Sequence, residues 1–163
     1  YEVLIEKYIR GREFTVGILD DKALPIIEIK PAMEFFSYDA KYTDNRTEYL
    51  IVEKTAVAHD RRTANSLREF GLLTSSLYAE AQEVALHAHR VLGCRGFSRV
   101  DMLLDGKNKL YLLEVNTIPG FTEKSLLPKA AKAAGISFSS LCEKIVDLAF
   151  HRTLVTANES IQN

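Results

Sequence analysis

The sequence predicts an α+β fold, an antiparallel sheet packed by helices, and three observations carry that prediction. Short strand-like runs crowd the N-terminal part, a second pair of alternating runs flanks Asp105-Gly106, and helix-period patterns stand between and after them. Residues 3–9, 13–19 and 24–29 read as three strands of an antiparallel meander, separated by Gly11 and by the turn residues Asp20-Asp21. From residue 31 to about 49 the periodicity dissolves into aromatic and charged residues, a long connection of the kind that carries function. Residues from about 54 to 75 are polar and irregular, with Arg61, Arg62 and Arg68, and read as a solvated insertion.

Ser76 is placed to cap a helix whose Leu77, Ala81, Val84, Ala88 and Val91 recur three and four apart, with Gly93 as its stop. His87 and His89 lie two positions apart on that helix, point in different directions, and are expected at the surface. Residues 126–134 read as a helix stopped by Gly135. Ser137 then opens a last helix with Phe138, Leu141, Ile145 and Leu148 inward. Beyond about His151 the chain is polar, and residues 151–163 are expected to be a fraying tail.

At 163 residues and 47% hydrophobic content the chain is long and apolar enough for one domain with a sizeable core, set at residues 1–150. A net charge of −1 gives no reason to expect nucleic acid or an anionic membrane as the main partner. No apolar run approaches a membrane span or a signal-peptide core. Cys94 and Cys142 lie far apart without metal-type spacing and suit a reducing cytosol, so a cytoplasmic location is expected. The chain opens at Tyr1 directly into a strand-like run and reads as a fragment of a longer polypeptide.

The chemistry concentrates between Arg99 and Gly120. Alternation on both sides of the Asp105-Gly106 turn predicts a hairpin with Val100, Met102 and Leu104 on the core face together with Tyr111, Leu113 and Val115. Arg99 and Asp101 then share the other face with Glu114 and Asn116, because an even-residue turn keeps odd positions level with even ones. Two carboxylates and an amide oxygen are hard ligands of the kind that suit magnesium bridging to a nucleotide's phosphates, and an adjacent guanidinium would meet developing negative charge. The same residues also fit the wet face of a half-buried hairpin. The abrupt Pro119-Gly120 break after Asn116 favours a site, since sites form where a rigid strand hands over to a loop.

Several blocks in order resemble the C-terminal part of the D-alanine–D-alanine ligases of the ATP-grasp superfamily. They are Val3-Leu4-Ile5-Glu6-Lys7-Tyr8-Ile9, Gly11-Arg12-Glu13-Phe14-Thr15-Val16, Tyr38-Asp39-Ala40-Lys41-Tyr42 and Leu92-Gly93-Cys94-Arg95-Gly96, followed by Arg99-Val100-Asp101. Tyr111-Leu112-Leu113-Glu114-Val115-Asn116-Thr117, Pro119-Gly120, Ser125-Leu126 and Pro128-Lys129-Ala130-Ala131 complete the match, which excludes only about residues 51–75 and the tail. The resemblance implies an ATP-grasp C-terminal subdomain with a variable polar insertion at about 51–75. It implies an ATP-dependent ligase that joins two D-alanines through an acyl phosphate for peptidoglycan precursor synthesis. Glu6, Lys7, Tyr8 and Ile9 would then meet adenine, Glu13 the ribose, and Tyr38 and Lys41 the phosphates from a lid-like loop. Asp101, Glu114 and Asn116 would hold Mg2+, or Mn2+ in its place, while Arg99 would stabilise the tetrahedral intermediate. Tyr42, Gly120, Ser125 and Leu126 would surround the second D-alanine.

The family's N-terminal and central domains are the further partners the resemblance implies, with a homodimer of the full-length enzyme, so this chain alone is expected to be inactive. Alternatives within the class are a D-alanine–D-lactate or D-alanine–D-serine ligase, or another ATP-grasp carboxylate–amine ligase. Lys41-Tyr42 favours the dipeptide ligase over its lactate-using relatives. Outside the class stands a nucleotide-binding module without turnover in isolation.

Overall fold

In the computed structural model, residues 2–30, 47–55 and 72–161 are described, with 151–161 as backbone only. The strands are β1 (Gly11–Leu19), β2 (Lys22–Lys30), β3 (Glu48–Ile51), β4 (Glu53–Thr55), β5 (Leu72–Thr74), β6 (Phe97–Asp105) and β7 (Leu110–Asn116). The helices are α1 (Ser75–Val91), α2 (Leu126–Ala133) and α3 (Phe138–Ile161). β1, β2, β3, β6 and β7 form a five-stranded sheet in the order β3-β2-β1-β6-β7, every neighbour antiparallel. The expected α+β fold of antiparallel sheet and packed helices is therefore what the chain adopts.

The β1–β2 hairpin turns on Asp20 and Asp21, both at positive φ (52° and 55°), a pairing whose twist suits a two-residue hairpin. Its register shifts between Val16 and Ile18, beside Pro25 in β2, where a strand proline is tolerated at an irregularity. Gly11 belongs to β1 rather than separating two strands, and a Cβ there would lie 2.3 Å from the Leu104 carbonyl oxygen. Residues 2–10 are not a strand. They carry no regular structure, and Val3, Leu4, Ile5 and Tyr8 stay exposed, because an alternating pattern has no strand to pair with among the described residues.

Alternation along the strands gives the sheet two unlike faces. On one, Phe14, Val16, Ile18, Ile26, Val100, Met102 and Leu104 pack under α1 through Leu77, Tyr78, Ala81 and Ala85. Arg12 spans Glu28 with two short bonds, Nε to Oε1 at 2.7 Å and Nη2 to Oε2 at 2.8 Å, and donates to the Leu72 carbonyl, joining β1, β2 and β5. On the other face Leu19, Leu24 and Ile27 pack under α2 and α3 through Leu127, Ala130, Ala131 and Leu141.

Helix α1 begins earlier than expected. Thr74, not Ser76, is its N-cap, its hydroxyl accepting from the Leu77 amide. The buried stripe is also rotated: Tyr78, Ala85 and His89 lie inside, whereas Val91 is largely exposed. His89 is thus a core residue, with Nδ1 2.7 Å from Ser98 Oγ, which corrects the surface expectation. Gly93 ends the helix at φ 66° as expected, its amide bonded to the Arg90 carbonyl and the Cys94 amide to the His89 carbonyl. Gly135 ends α2 in the same way. The Ser137 hydroxyl accepts from the Ser140 amide at the start of α3, and this helix runs on to Ile161 where fraying was expected.

The ends of the long connection and of the expected polar insertion are ordered into sheet. β3 pairs with β2, while β4 and β5 form a parallel two-stranded ladder, so strands lie on both sides of residues 56–71. Those residues, and 31–46, are outside the described part of the chain.

Candidate active site

The β6–β7 hairpin brings the expected polar set together. Arg99 pairs with Asn116 and Asp101 with Glu114, so the four share a face as expected, although the turn between Leu104 and Leu110 holds five residues and not an even number. Beyond Asp101 a bulge shifts the register by one, so that Met102 faces Leu112 and Leu103 faces Tyr111. Tyr111 and Leu113 therefore do not join the core face as expected; Leu110 packs there with Val115, while Leu113 is half exposed.

Register across β1 places Thr15 opposite Asp101, Gly17 opposite Arg99 and Glu13 opposite Leu103, all on the face shared with α2. Asp101 is 1% exposed and Arg99 8%. The carboxylate survives burial because its oxygens are satisfied: Arg99 Nε donates to Oδ1 at 2.9 Å, Nη2 to Oδ2 at 2.7 Å, and the Thr15 hydroxyl to Oδ1 at 2.6 Å. Arg99 Nη2 also lies 3.6 Å from Glu114 Oε1, whose side chain is half exposed. One guanidinium thus serves two carboxylates, one buried and one open to solvent.

The connection from β7 to α2 forms the rim. Asn116 Oδ1 accepts from the Ile118 amide, which turns the chain sharply after the strand. Phe121 anchors the loop between Phe97 and Phe138, with ring centroids 6.3 Å and 5.5 Å away. Ser125 sits at the N-cap of α2 and its hydroxyl is tied to Thr122 instead of capping the helix. A Cβ at Gly120 would lie 3.1 Å from Ser125 Oγ, so the glycine lets loop and cap approach.

Arg99, Asn116, Gly120, Ser125 and Leu126, all singled out from sequence, line one cleft of about 300 Å³. Tyr49, Ile29, Thr122 and Lys124 line it as well and were not anticipated. A signal for Tyr49 was available in the aromatic character of the segment before it, but sequence separation hides its contact with α2. Burial and the nearby Glu13 charge push the Tyr49 phenol up from its ordinary value, while Arg99 pulls the other way, so the phenol keeps its proton at neutral pH. Glu6, Lys7 and Tyr8 lie exposed on the segment before β1, with Ile9 half-buried, and none lines this cleft. Tyr38, Lys41 and Tyr42 lie outside the described residues.

Among the described residues no three His, Cys, Asp or Glu side chains group as a metal site. An ion on the hairpin would rest on Asp101, Glu114 and Asn116, an all-oxygen donor set, with its remaining positions filled by a ligand or water. That set suits a hard divalent cation, which would share the Asp101 oxygens with Arg99 and Thr15 and the Asn116 oxygen with the Ile118 amide.

The model of the D-ala D-ala ligase C-terminus family matches residues 1–74 and 70–147. The chain belongs to this family, and its fold is that of the C-terminal part of the ATP-grasp ligases. It is 43% identical over 150 residues to the D-alanine--D-alanine ligase of Methylacidiphilum infernorum, covering 92% of this chain and 44% of the relative. With the corresponding ligase of Geotalea uraniireducens it shares 41% identity over 148 residues, covering 91% and 42%. The chain therefore spans less than half the length of these curated relatives. The crystal structure of D-alanine--D-alanine ligase from Bacillus anthracis complexed with ATP superposes with a TM-score of 0.68 at 36% identity, covering 90% of this chain and 40% of that one. No helix among the described residues is long and apolar enough to cross a membrane.

Proposed function

We propose that this chain forms the C-terminal catalytic portion of an ATP-dependent ligase that joins two D-alanines for peptidoglycan precursor synthesis in the cytoplasm. The observation that carries this reading is the meeting of Arg99, Asn116, Gly120, Ser125 and Leu126 around one cleft, beside the Arg99–Asp101–Glu114 cluster. In this reading one D-alanine carboxylate takes the γ-phosphoryl group of ATP, and the amine of the second attacks the acyl phosphate and releases phosphate. Such a reaction depends on positioning and charge neutralisation and needs no nucleophilic side chain.

Each residue's task follows from its chemistry. Glu13 offers a carboxylate to the neighbouring hydroxyls of ribose, while the backbone of residues 6–9 reads the adenine edge as a strand would. Lys41 and Tyr38 belong over the phosphates, and Tyr42 beside the second D-alanine with Gly120 and Ser125. Asp101, Glu114 and Asn116 would hold Mg2+, which supplies Lewis-acid neutralisation of phosphate charge when bound. Arg99, held in plane by Asp101 and lining the cleft, offers its guanidinium to the oxyanion of the tetrahedral intermediate. The upstream domains of a full-length ligase would supply the opposing wall, which makes the separate chain inactive.

The test is coupled ADP and dipeptide formation by the intact polypeptide that carries this chain, with ATP, Mg2+ and D-alanine. D-alanine-dependent ADP release in step with D-alanyl-D-alanine is the expected result. ATP turnover without dipeptide, or no turnover, overturns the assignment.

A further inference from the structure

Tyr49 and Lys129 form a pair that none of the assigned roles uses. Tyr49 stands on β3 opposite Ile29 of β2, is half-buried, and packs on the core under α2 and α3. Tyr49 lines the cleft with Ile29 and Leu126. Lys129, in the first turn of α2, holds its ammonium 4.0 Å from the ring centroid. That contact is a cation–π interaction, strengthened where the cation is withdrawn from water. Lys129 itself does not line the cleft, so whatever it does there it does through the ring.

We propose that Tyr49 is a specificity-determining wall of the amino-acid cleft and that Lys129 is its positioning residue. The proposal rests on the ligase reading above and names what limits the side chain that the cleft accepts. Ile29, Tyr49 and Leu126 come from two strands and a helix and give the cleft apolar lining beside the polar Arg99 and Asn116. An ammonium held against one face of the ring makes it harder for the ring to swing aside for a larger substituent. Burial pulls the Lys129 ammonium down from its ordinary value, consistent with a cation held against the ring and away from water. The phenol hydroxyl, facing the Glu13 and Arg99 charges, is secondary to the ring.

The test compares kcat/KM for D-alanine with that for D-2-aminobutyrate, one methylene larger, in the intact polypeptide. Wild type favours D-alanine. Tyr49→Leu moves the ratio about tenfold toward the larger substrate, the scale on which one methylene is discriminated in an apolar pocket. Lys129→Met, which keeps the stem and removes the charge, moves it about threefold in the same direction. Tyr49→Phe keeps the wild-type ratio. A mere loss of stability would lower both rates together and leave the ratio alone. An unmoved ratio in Tyr49→Leu overturns the inference, as does a Tyr49→Phe shift equal to that of leucine. Should Tyr49→Leu fail to fold, an unmoved ratio in Lys129→Met overturns it by itself. Wild type inactive on D-alanine overturns the ligase reading as well, whereas active wild type with unmoved variants overturns this inference alone.

Discussion

The two faces of the central sheet are made from the same strands, yet one carries a dry apolar core and the other places buried charge beside a cleft. Under α1, Phe14, Val16, Ile18, Ile26, Val100 and Met102 are fully buried, and the charges present are paired, as Arg12 is with Glu28. Under α2 and α3 the apolar cover stops at Gly17, where a Cβ would lie 2.8 Å from Leu127 Cδ1. Past that point Thr15, Asp101, Arg99 and Glu13 take the positions that valine or isoleucine would otherwise hold. The lesson is that one strand can divide its labour by parity. Even positions of β1 supply cohesion, and odd positions carry the polar groups near the cleft.

The comparison predicts that stability and activity separate by face. In the intact polypeptide that carries this chain, Phe14→Ala, emptying the α1 face, should lower unfolding free energy by about 3–5 kcal/mol, while turnover per folded molecule stays near wild type. Denaturant titration alongside active-site-normalised rates checks it. Asp101→Asn sharpens the contrast, because this residue belongs to the cleft face yet is itself buried. It should cost about 3 kcal/mol by leaving Arg99 without its buried partner, and turnover should fall as well. Glu114→Gln, half exposed, should cut turnover roughly a hundredfold with an unchanged melting temperature. Equal stability losses in Asp101→Asn and Glu114→Gln would break the division drawn here.

A smaller effect tests the α1 face by pH. Burial holds the His89 imidazole below its ordinary value, the Asp21 charge opposing and Arg90 reinforcing. A depressed histidine favours the neutral folded form, so stability is full above the ordinary imidazole range. It falls as pH drops through that range toward the folded value, because the unfolded chain takes up the proton first. Melting temperature should decline on mild acidification, and His89→Gln should flatten that slope. Smallest is Thr74→Ala, which removes the α1 cap and should cost about 1 kcal/mol in the same titration.

Much of the polar site was legible because register follows from parity. Asp20-Asp21 and Asp105-Gly106 marked the two hairpins, and the shared face of Arg99, Asp101, Glu114 and Asn116 came out as read. Neither the five-residue turn between Leu104 and Leu110 nor the bulge after Asp101 was legible: the first misplaced Tyr111, and the second, an extra residue that leaves no mark in an alternating apolar run, restored the parity that Arg99 and Asp101 were read with. Residues 3–9 alternate like a strand but have no pairing partner among those described. His89 was misread because an imidazole can complete an apolar stripe when a buried hydroxyl such as that of Ser98 receives it. Tyr49 and Lys129 meet across eighty positions of sequence, a contact that neither propensity nor periodicity encodes.

The bulge has one more effect, on how the molecule treats its neighbours. β7 is an outer strand of the sheet, and Leu112 and Leu113 stand exposed along it. A straight, apolar edge of that kind invites another extended chain to dock by backbone bonds, the route by which folded proteins begin to aggregate. An extra residue at this point coils the strand and breaks the even spacing of its outward amides and carbonyls. The same irregularity therefore also works against templating along β7, the outer strand among the described residues.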